Sequence, residues 1–349
     1  MNVGIIGYSG CGKTTLFNAL TGLSAETGLG KKSGHNLGQI KVPDPRVDRL
    51  TDIYQPKKTT YAEIAFTDFA GGQAGGEKAL DAKNVADMRK SDALALVVRA
   101  FDNPLLDAPR DPARELANLY GELIFADLIQ VEKRLEKVRH DGKAKDEKAL
   151  LTRLAEHLEA EKPLRDLDLI EPDQAKLAGF AFLSQKPVLV VLNHDDSAIG
   201  QPDAFADARA VAKELKLPMI NLCAQTEMEV GQLPPAEQQA FLTELGIAQP
   251  ARDTFIQATY ELLNLISFLT FGPDECRAWT ITRGDNAVQA ASRIHSDIAR
   301  GFIRAEVIHW ADFDAYGHDQ EVKKAGKFKL EGKEYVVQDG DIVHFRFNV

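Results

Sequence analysis

Residues Gly7-Tyr8-Ser9-Gly10-Cys11-Gly12-Lys13-Thr14 match G-x-x-x-x-G-K-[ST] at every position. Glycines let consecutive backbone N–H groups turn toward phosphate oxygens. The lysine sets a positive charge against the β and γ oxygens, and the threonine hydroxyl is a ligand for Mg²⁺. The flanking residues supply what such a loop needs. Met1 to Ile6 is an apolar run suited to a buried strand, and Thr15 to Leu20 opens an apolar-periodic helix whose N-terminus faces the anion. The prediction is that Gly7 to Thr15 bind a nucleoside triphosphate.

Two further tetrapeptides extend that chemistry. Asp68-Phe69-Ala70-Gly71 has the form D-x-x-G. In that form the carboxylate meets the Mg²⁺ shell and the glycine N–H meets the γ-phosphate. Asn193-His194-Asp195-Asp196 has the form N-x-x-D, the base-reading element of guanine-binding proteins, with His194 where lysine is usual. A carboxylate only accepts. Guanine offers it two adjacent donors, N1–H and the exocyclic amine, whereas adenine offers only its amine. The alternative role for Asp195 or Asp196 is to cap a helix. Cys223-Ala224 follows the next strand-like run, where guanine-binding proteins carry Ser-Ala.

These residues need a scaffold, and the pattern predicts an α/β fold with a doubly wound, mostly parallel sheet. Ala93 to Val98, Val188 to Leu192 and Met219 to Cys223 read as buried strands separated by helices, and Tyr61 to Phe66 as an alternating one. Glu115 to about Lys162 carries apolar stripes (Leu119, Leu123, Val131, then Leu150, Leu154, Leu158) either side of His140-Asp141-Gly142, predicting an antiparallel helical hairpin. Its cations interleave with Glu132, Glu136, Asp141 and Glu147, so a solvated charged face stands beside RNA contact as a reading. Trp279 to Val349 alternates strand-like runs with a helical one over Val288 to Ile298, predicting a small α+β module. The expected division is 1–114 and 166–265 for the nucleotide domain, 115–165 for the hairpin and 266–349 for the C-terminal module.

The net charge of −10 argues against a protein that coats nucleic acid generally. Three cysteines without framework spacing suit a reduced, cytoplasmic setting. Phe255 to Phe271 is apolar but interrupted by Gln257, Glu261 and Asn264, and is expected to be a buried helix rather than a membrane span.

The chain resembles the Obg-like ATPases, the YchF family of translation-factor-class P-loop proteins, over nearly its whole length. Phe17-Asn18-Ala19-Leu20-Thr21, Val42-Pro43-Asp44-Pro45-Arg46, Gly301-Phe302-Ile303-Arg304-Ala305-Glu306-Val307 and Tyr335-Val336-Val337-Gln338-Asp339-Gly340-Asp341 carry the resemblance. It implies a G domain, an inserted hairpin and a C-terminal TGS-type module with a ubiquitin-like sheet. It also implies ATP or GTP hydrolysis linked to ribosome binding and to stress or redox response; RNA contact through the hairpin and C-terminal module stands as a separate reading of the sequence.

The departures from that family fall at the chemistry. Gly10 stands where the family has an asparagine that helps hold potassium in related proteins. Ser33-Gly34-His35-Asn36-Leu37-Gly38 matches the first-switch stretch, which puts Lys32 in place of a metal-ligating threonine, so that either Ser33 substitutes after a register shift or that ligand is missing. Gly72 replaces a hydrophobic residue after D-x-x-G, and the neighbouring Gln73 is a candidate for orienting water. Asp196 replaces the family's glutamate, a change toward guanine. Two functions follow: a slow nucleotide-hydrolysing switch, or a nucleotide-sensing binding protein with degenerate switches. A small-molecule kinase would need neither N-x-x-D nor the C-terminal module.

Overall fold

The computed structural model describes residues 1–27, 35–71, 79–107, 109–201, 203–247 and 249–348. The chain opens with β1 (Asn2–Ile6), α1 (Lys13–Thr21), β2 (Asn36–Lys41), α2 (Pro45–Tyr54), β3 (Lys58–Thr60) and β4 (Glu63–Asp68). It continues with α3 (Ala82–Met88), β5 (Ala93–Ala100), the long α4 (Pro112–Val138), α5 (Lys145–Glu159), α6 (Glu171–Leu177) and β6 (Val188–His194). Then come α7 (Ala206–Glu214), β7 (Met219–Leu222), α8 (Ala224–Val230), α9 (Pro235–Glu244) and α10 (Ala251–Leu262). The last part holds β8 (Leu265–Thr270), β9 (Glu275–Thr282), α11 (Ala287–Ile294), α12 (Ser296–Arg300) and β10 (Phe302–Ile308), followed by α13 (Trp310–Tyr316), α14 (Asp319–Lys324), β11 (Lys329–Glu331) and β12 (Ile342–Phe347).

These elements form two compact units. The first comprises Met1–Gln39 and Ala65–Ala258, the second Ile40–Ile64 and Thr259–Val349. A six-stranded sheet in the order β2-β4-β1-β5-β6-β7 centres the first. Its β4, β1, β5, β6 and β7 pair in parallel. Every residue of β5 and β6 is buried, as a parallel strand covered by helices on both faces requires. Helices α4 and α5 lie antiparallel in sequence sense around the turn at residues 139–144, and the Leu119, Leu123, Val131, Leu151, Leu154 and Leu158 side chains enter one core with β5 and β6. The capping carboxylate of Asp111 and Pro112 in the first turn start α4.

The second unit has a sheet ordered β11-β10-β12-β8-β9-β3. The pairs β10/β11, β10/β12 and β8/β9 are antiparallel, whereas β12/β8 and β3/β9 are parallel. Helix α11 covers Ile266, Phe268, Val307 and Val343. Val47 and Leu50 of α2 pack with Leu269, Cys276, Ala278 and Phe313. Residues 40–64, from the first part of the chain, are therefore built into the C-terminal unit.

Two elements differ from the sequence reading. Phe255 to Phe271 is not one helix: α10 ends at Leu262, Asn264 takes a left-handed φ of 51°, and β8 follows. The apolar content was read correctly but the period changes, because Ile266 and Phe268 face the core at strand spacing. The run from Val288 to Ile298 is likewise broken at His295, whose backbone is extended and whose ring accepts the Asp297 N–H. Among the described residues no helix is long and apolar enough to cross a membrane.

Candidate nucleotide site

The loop between β1 and α1 places its lysine inward. Lys13 Nζ donates to the Gly7 and Tyr8 carbonyls at 2.9 and 2.7 Å, and the residue is only 7 % exposed. Gly12 caps α1 with φ 91°, a left-handed conformation that favours glycine. A Cβ on Gly12 would stand 2.1 Å from Asn193 Nδ2, so the position has no room for a side chain. The Cys11 thiol is buried, and burial pushes it up to about 11, so it is not a reactive thiolate near neutrality.

Asp68 ends β4 beside this loop. Its Oδ2 accepts from Thr14 Oγ1 at 2.9 Å and from Asn36 Nδ2 at 2.8 Å. Its other oxygen, Oδ1, is buried without a hydrogen-bond partner among the described residues. A buried carboxylate oxygen lacking a donor is costly, and next to a threonine hydroxyl it fits a hard divalent cation that prefers oxygen ligands. Gly71 comes close to Lys13. A Cβ there would lie 2.8 Å from Lys13 Nζ, 3.0 Å from Gly7 O and 3.1 Å from Ser9 N, so a side chain at this position would crowd the phosphate loop.

The base-reading elements meet the loop from the other side. Asn193 Nδ2 donates to Cys11 O at 3.0 Å, and Asn193 Oδ1 accepts from Ala224 N at 3.0 Å. One amide thus joins the phosphate loop, the end of β6 and the start of α8. His194 is buried, with Nδ1 2.6 Å from Asp195 O and its ring stacked beside Phe205 at 6.3 Å between centroids. Asp195 bonds Ser197 Oγ and faces Arg110 Nη1 at 3.6 Å, leaving Asp196 exposed at the head of a short 3-10 turn. Cys223 caps α8 and its sulfur accepts from Thr226 Oγ1.

Comparison with known proteins bears on this assembly. A family model described as 50S ribosome-binding GTPase matches residues 2–131, and a YchF GTPase C-terminal model, described as a protein of unknown function, matches residues 265–348. The "Ribosome-binding ATPase YchF" of Bacillus subtilis is 40% identical over 100% of both chains. This chain belongs to the YchF family. The Escherichia coli O157:H7 protein of the same description is 36% identical over 99% of each chain. The solved YchF GTPase of Schizosaccharomyces pombe superposes with a TM-score of 0.85 at 27% identity, covering 99% of this chain and 97% of that one. The YchF likeness confirms the α/β class with a P-loop G domain read from the sequence.

Within this YchF chain, the structure gathers Lys13, Thr14, Asp68 and Gly71 at one end of β1 and β4, and Asn193, Cys11, Gly12 and Ala224 beside them. Lys32, Ser33, Gly72 and Gln73 lie outside the described residues. Sequence reading assigned no role to four residues now seen here. Asn36 holds Asp68; it lay in a recognised stretch without a function attached. Asn103 Nδ2 donates to Gly10 O at 3.1 Å. Glu115 and Glu122 are two turns apart on α4 and face this loop. Glu115 accepts the Arg99 N–H, and Glu122 accepts from Tyr8. Interleaved charges on an amphipathic helix gave no local signal that two of its carboxylates turn inward.

Proposed function

We propose that this protein binds and hydrolyses a purine nucleoside triphosphate, GTP or ATP, as a slow nucleotide-dependent switch that associates with ribosomes in the cytoplasm. The convergence of Lys13, Thr14, Asp68 and Gly71 carries the reading. Backbone N–H groups of residues 9–14 and the Lys13 ammonium hold the β and γ phosphates, and the Gly71 N–H approaches the γ-phosphate. Thr14 and Asp68 are the residues to hold Mg²⁺; when bound, the ion neutralises charge on the β and γ oxygens. Asn36 keeps Asp68 oriented. Asn193 holds the phosphate loop and the start of α8 together, and in this reading Asp196 accepts from the base. The ribosome as partner is supported by the description of relatives aligned end to end with this chain. The four-part division 1–114, 115–165, 166–265 and 266–349 belongs to the same proposal, corrected in that residues 40–64 group with the C-terminal unit instead of the nucleotide domain; so does a TGS-type final module with RNA contact through it and the hairpin.

Equilibrium titration with ATP, GTP and their diphosphates, with and without Mg²⁺, followed by single-turnover hydrolysis with and without ribosomes, tests it. Binding without turnover in either condition would leave a nucleotide sensor instead of a hydrolase.

A further inference from the structure

Each residue of Asp68-Phe69-Ala70-Gly71 is met by a side chain from elsewhere in the first unit. Asp68 accepts from Thr14 of α1 and from Asn36, the first residue of β2. Phe69 is buried and meets the ring of His35 edge to face, 4.7 Å between centroids and 68° between planes. Ala70 O accepts from Asn84 Nδ2 of α3 at 3.1 Å, and Gly71 lies against Lys13. His35 and Asn84 are themselves connected. His35 Nε2 faces Asp87 Oδ2 at 3.4 Å, and Asp87 follows Asn84 by three positions on α3, so both lie on one face of that helix. The other ring nitrogen, Nδ1, is buried without a hydrogen-bond partner among the described residues. Leaving a buried polar atom unpaired costs stability, so His35 is poorly explained as a residue that only stabilises the fold.

We propose that His35 and Asn84 are positioning residues for hydrolysis: they hold Phe69 and Ala70, and thereby set the Asp68 carboxylate and the Gly71 N–H against the phosphate loop. The inference rests on the reading of Asp68–Gly71 as the γ-phosphate element. Confining a backbone to one conformation costs entropy. Supports on Phe69 and Ala70 meet that cost when the chain folds, so it does not recur at each turnover. Rate is steep in such placement, since a donor displaced by an ångström no longer reaches the reacting oxygen. The hydrogen bond from Asn84 fixes the Ala70 carbonyl, and with it the peptide that leads to the Gly71 N–H. The His35 ring acts one residue earlier, on the side chain that follows Asp68. Asp87 joins the two supports through α3, so neither is an isolated contact. The contribution falls on turnover, because a diphosphate has no γ-phosphate for Gly71 to meet.

The full-length protein is compared with its His35→Ala, His35→Phe, Asn84→Ala, His35→Ala/Asn84→Ala and Lys13→Ala variants. Steady-state kcat and KM for GTP and ATP are measured beside fluorescent-GDP affinity and melting temperature. His35→Ala and Asn84→Ala are each expected to lower kcat about tenfold, with KM and GDP affinity within about twofold of the parent. His35→Phe keeps a ring against Phe69 without the contact to Asp87, and should recover part of that loss. Because both side chains hold one tetrapeptide, the double variant should lose less than the product of the two single losses. Unchanged kcat in either single alanine variant overturns the proposal. So does a parallel fall in kcat, GDP affinity and melting temperature, and so do losses that multiply in the double variant. If His35→Ala does not fold, Asn84→Ala decides: lower kcat at parental GDP affinity supports the proposal, and unchanged kcat overturns it. Lys13→Ala separates the two readings, since retained GTP affinity there means the phosphate site itself is misassigned, whatever His35 and Asn84 do.

Discussion

At the scale of single residues, Lys13 is held by the Gly7 and Tyr8 carbonyls, whereas one Asp68 oxygen lacks a donor among the described residues. Lys13→Ala should remove most triphosphate affinity, because among the described residues no second cation enters the loop interior; a titration showing parental affinity would reject the assignment. Asp196 can accept from both guanine donors, worth on the order of 2–3 kcal/mol for a charged acceptor. It is exposed, and His194 is held by its own loop and Phe205. A preference for GDP over ADP of about tenfold, or about 1.4 kcal/mol, is therefore expected. Asp196→Asn should reduce or invert it in a competition assay, and equal displacement by both nucleotides in parent and variant would show that Asp196 does not read the base. Glu115 gives a pH signature. Burial raises its carboxyl from 4.5 to about 7, outweighing the Arg99 N–H and guanidinium that favour its charge. The folded chain then keeps a proton that the unfolded chain releases, so this stabilisation is complete below pH 4.5 and is lost as pH rises through about 7. The gap in melting temperature between parent and Glu115→Gln should change between pH 5 and 8, the parent falling more steeply. A constant gap would contradict the shift.

At the scale of elements, α4 connects most of what the sequence showed separately. Besides Glu115 and Glu122 it carries Asp127, which is fully buried and accepts from Arg89 Nη1, Leu183 N and Ser184 N at 2.7–2.9 Å. Asp127→Ala would strand a guanidinium and two amides, and should cost about 3–5 kcal/mol in a denaturant titration. A loss below about 1 kcal/mol would mean water replaces the carboxylate. This helix also shows where sequence reading succeeds and stops. Lys13, Asp68 and Asn193 were legible because nucleotide chemistry demands those residue types at set distances from strands. The strands β5 and β6 were legible because a buried parallel strand is continuously apolar. Glu115, Glu122 and Asp127 were not, since a carboxylate on a charged helix looks the same whether it faces water or a backbone amide 16 to 57 positions away. Asn264 shows the complementary limit. A single left-handed residue turned the second half of an apolar run from helix to strand, and composition does not register that change.

At the scale of the whole molecule, the second unit is assembled from two stretches of chain. A chain ending at Leu263 keeps the core around β5, β6 and α4 but strips Val47 and Leu50, both fully buried, of Leu269, Cys276, Ala278 and Phe313. Such a truncation should bind GDP within a few-fold of the parent, bind a hydrophobic dye strongly and fail to co-sediment with ribosomes. Unchanged dye binding would show that residues 40–64 do not depend on the C-terminal sheet.

The same interleaving sets a schedule during synthesis. Residues 40–64 leave the exit tunnel roughly two hundred residues before Leu265 and the strands that will cover them. At 5–20 residues per second that interval lasts about 10–40 s. Throughout it Val47, Leu50 and Ala62 have no core to enter, while β1, β4 and β5 can already pair on either side of them. A nascent chain of this protein therefore presents a short amphipathic helix with its apolar face uncovered and an unpaired β3 in the midst of a nucleotide domain that is otherwise being completed. The last strand to be made, β12, is the one that joins β10 to β8 and closes the second sheet.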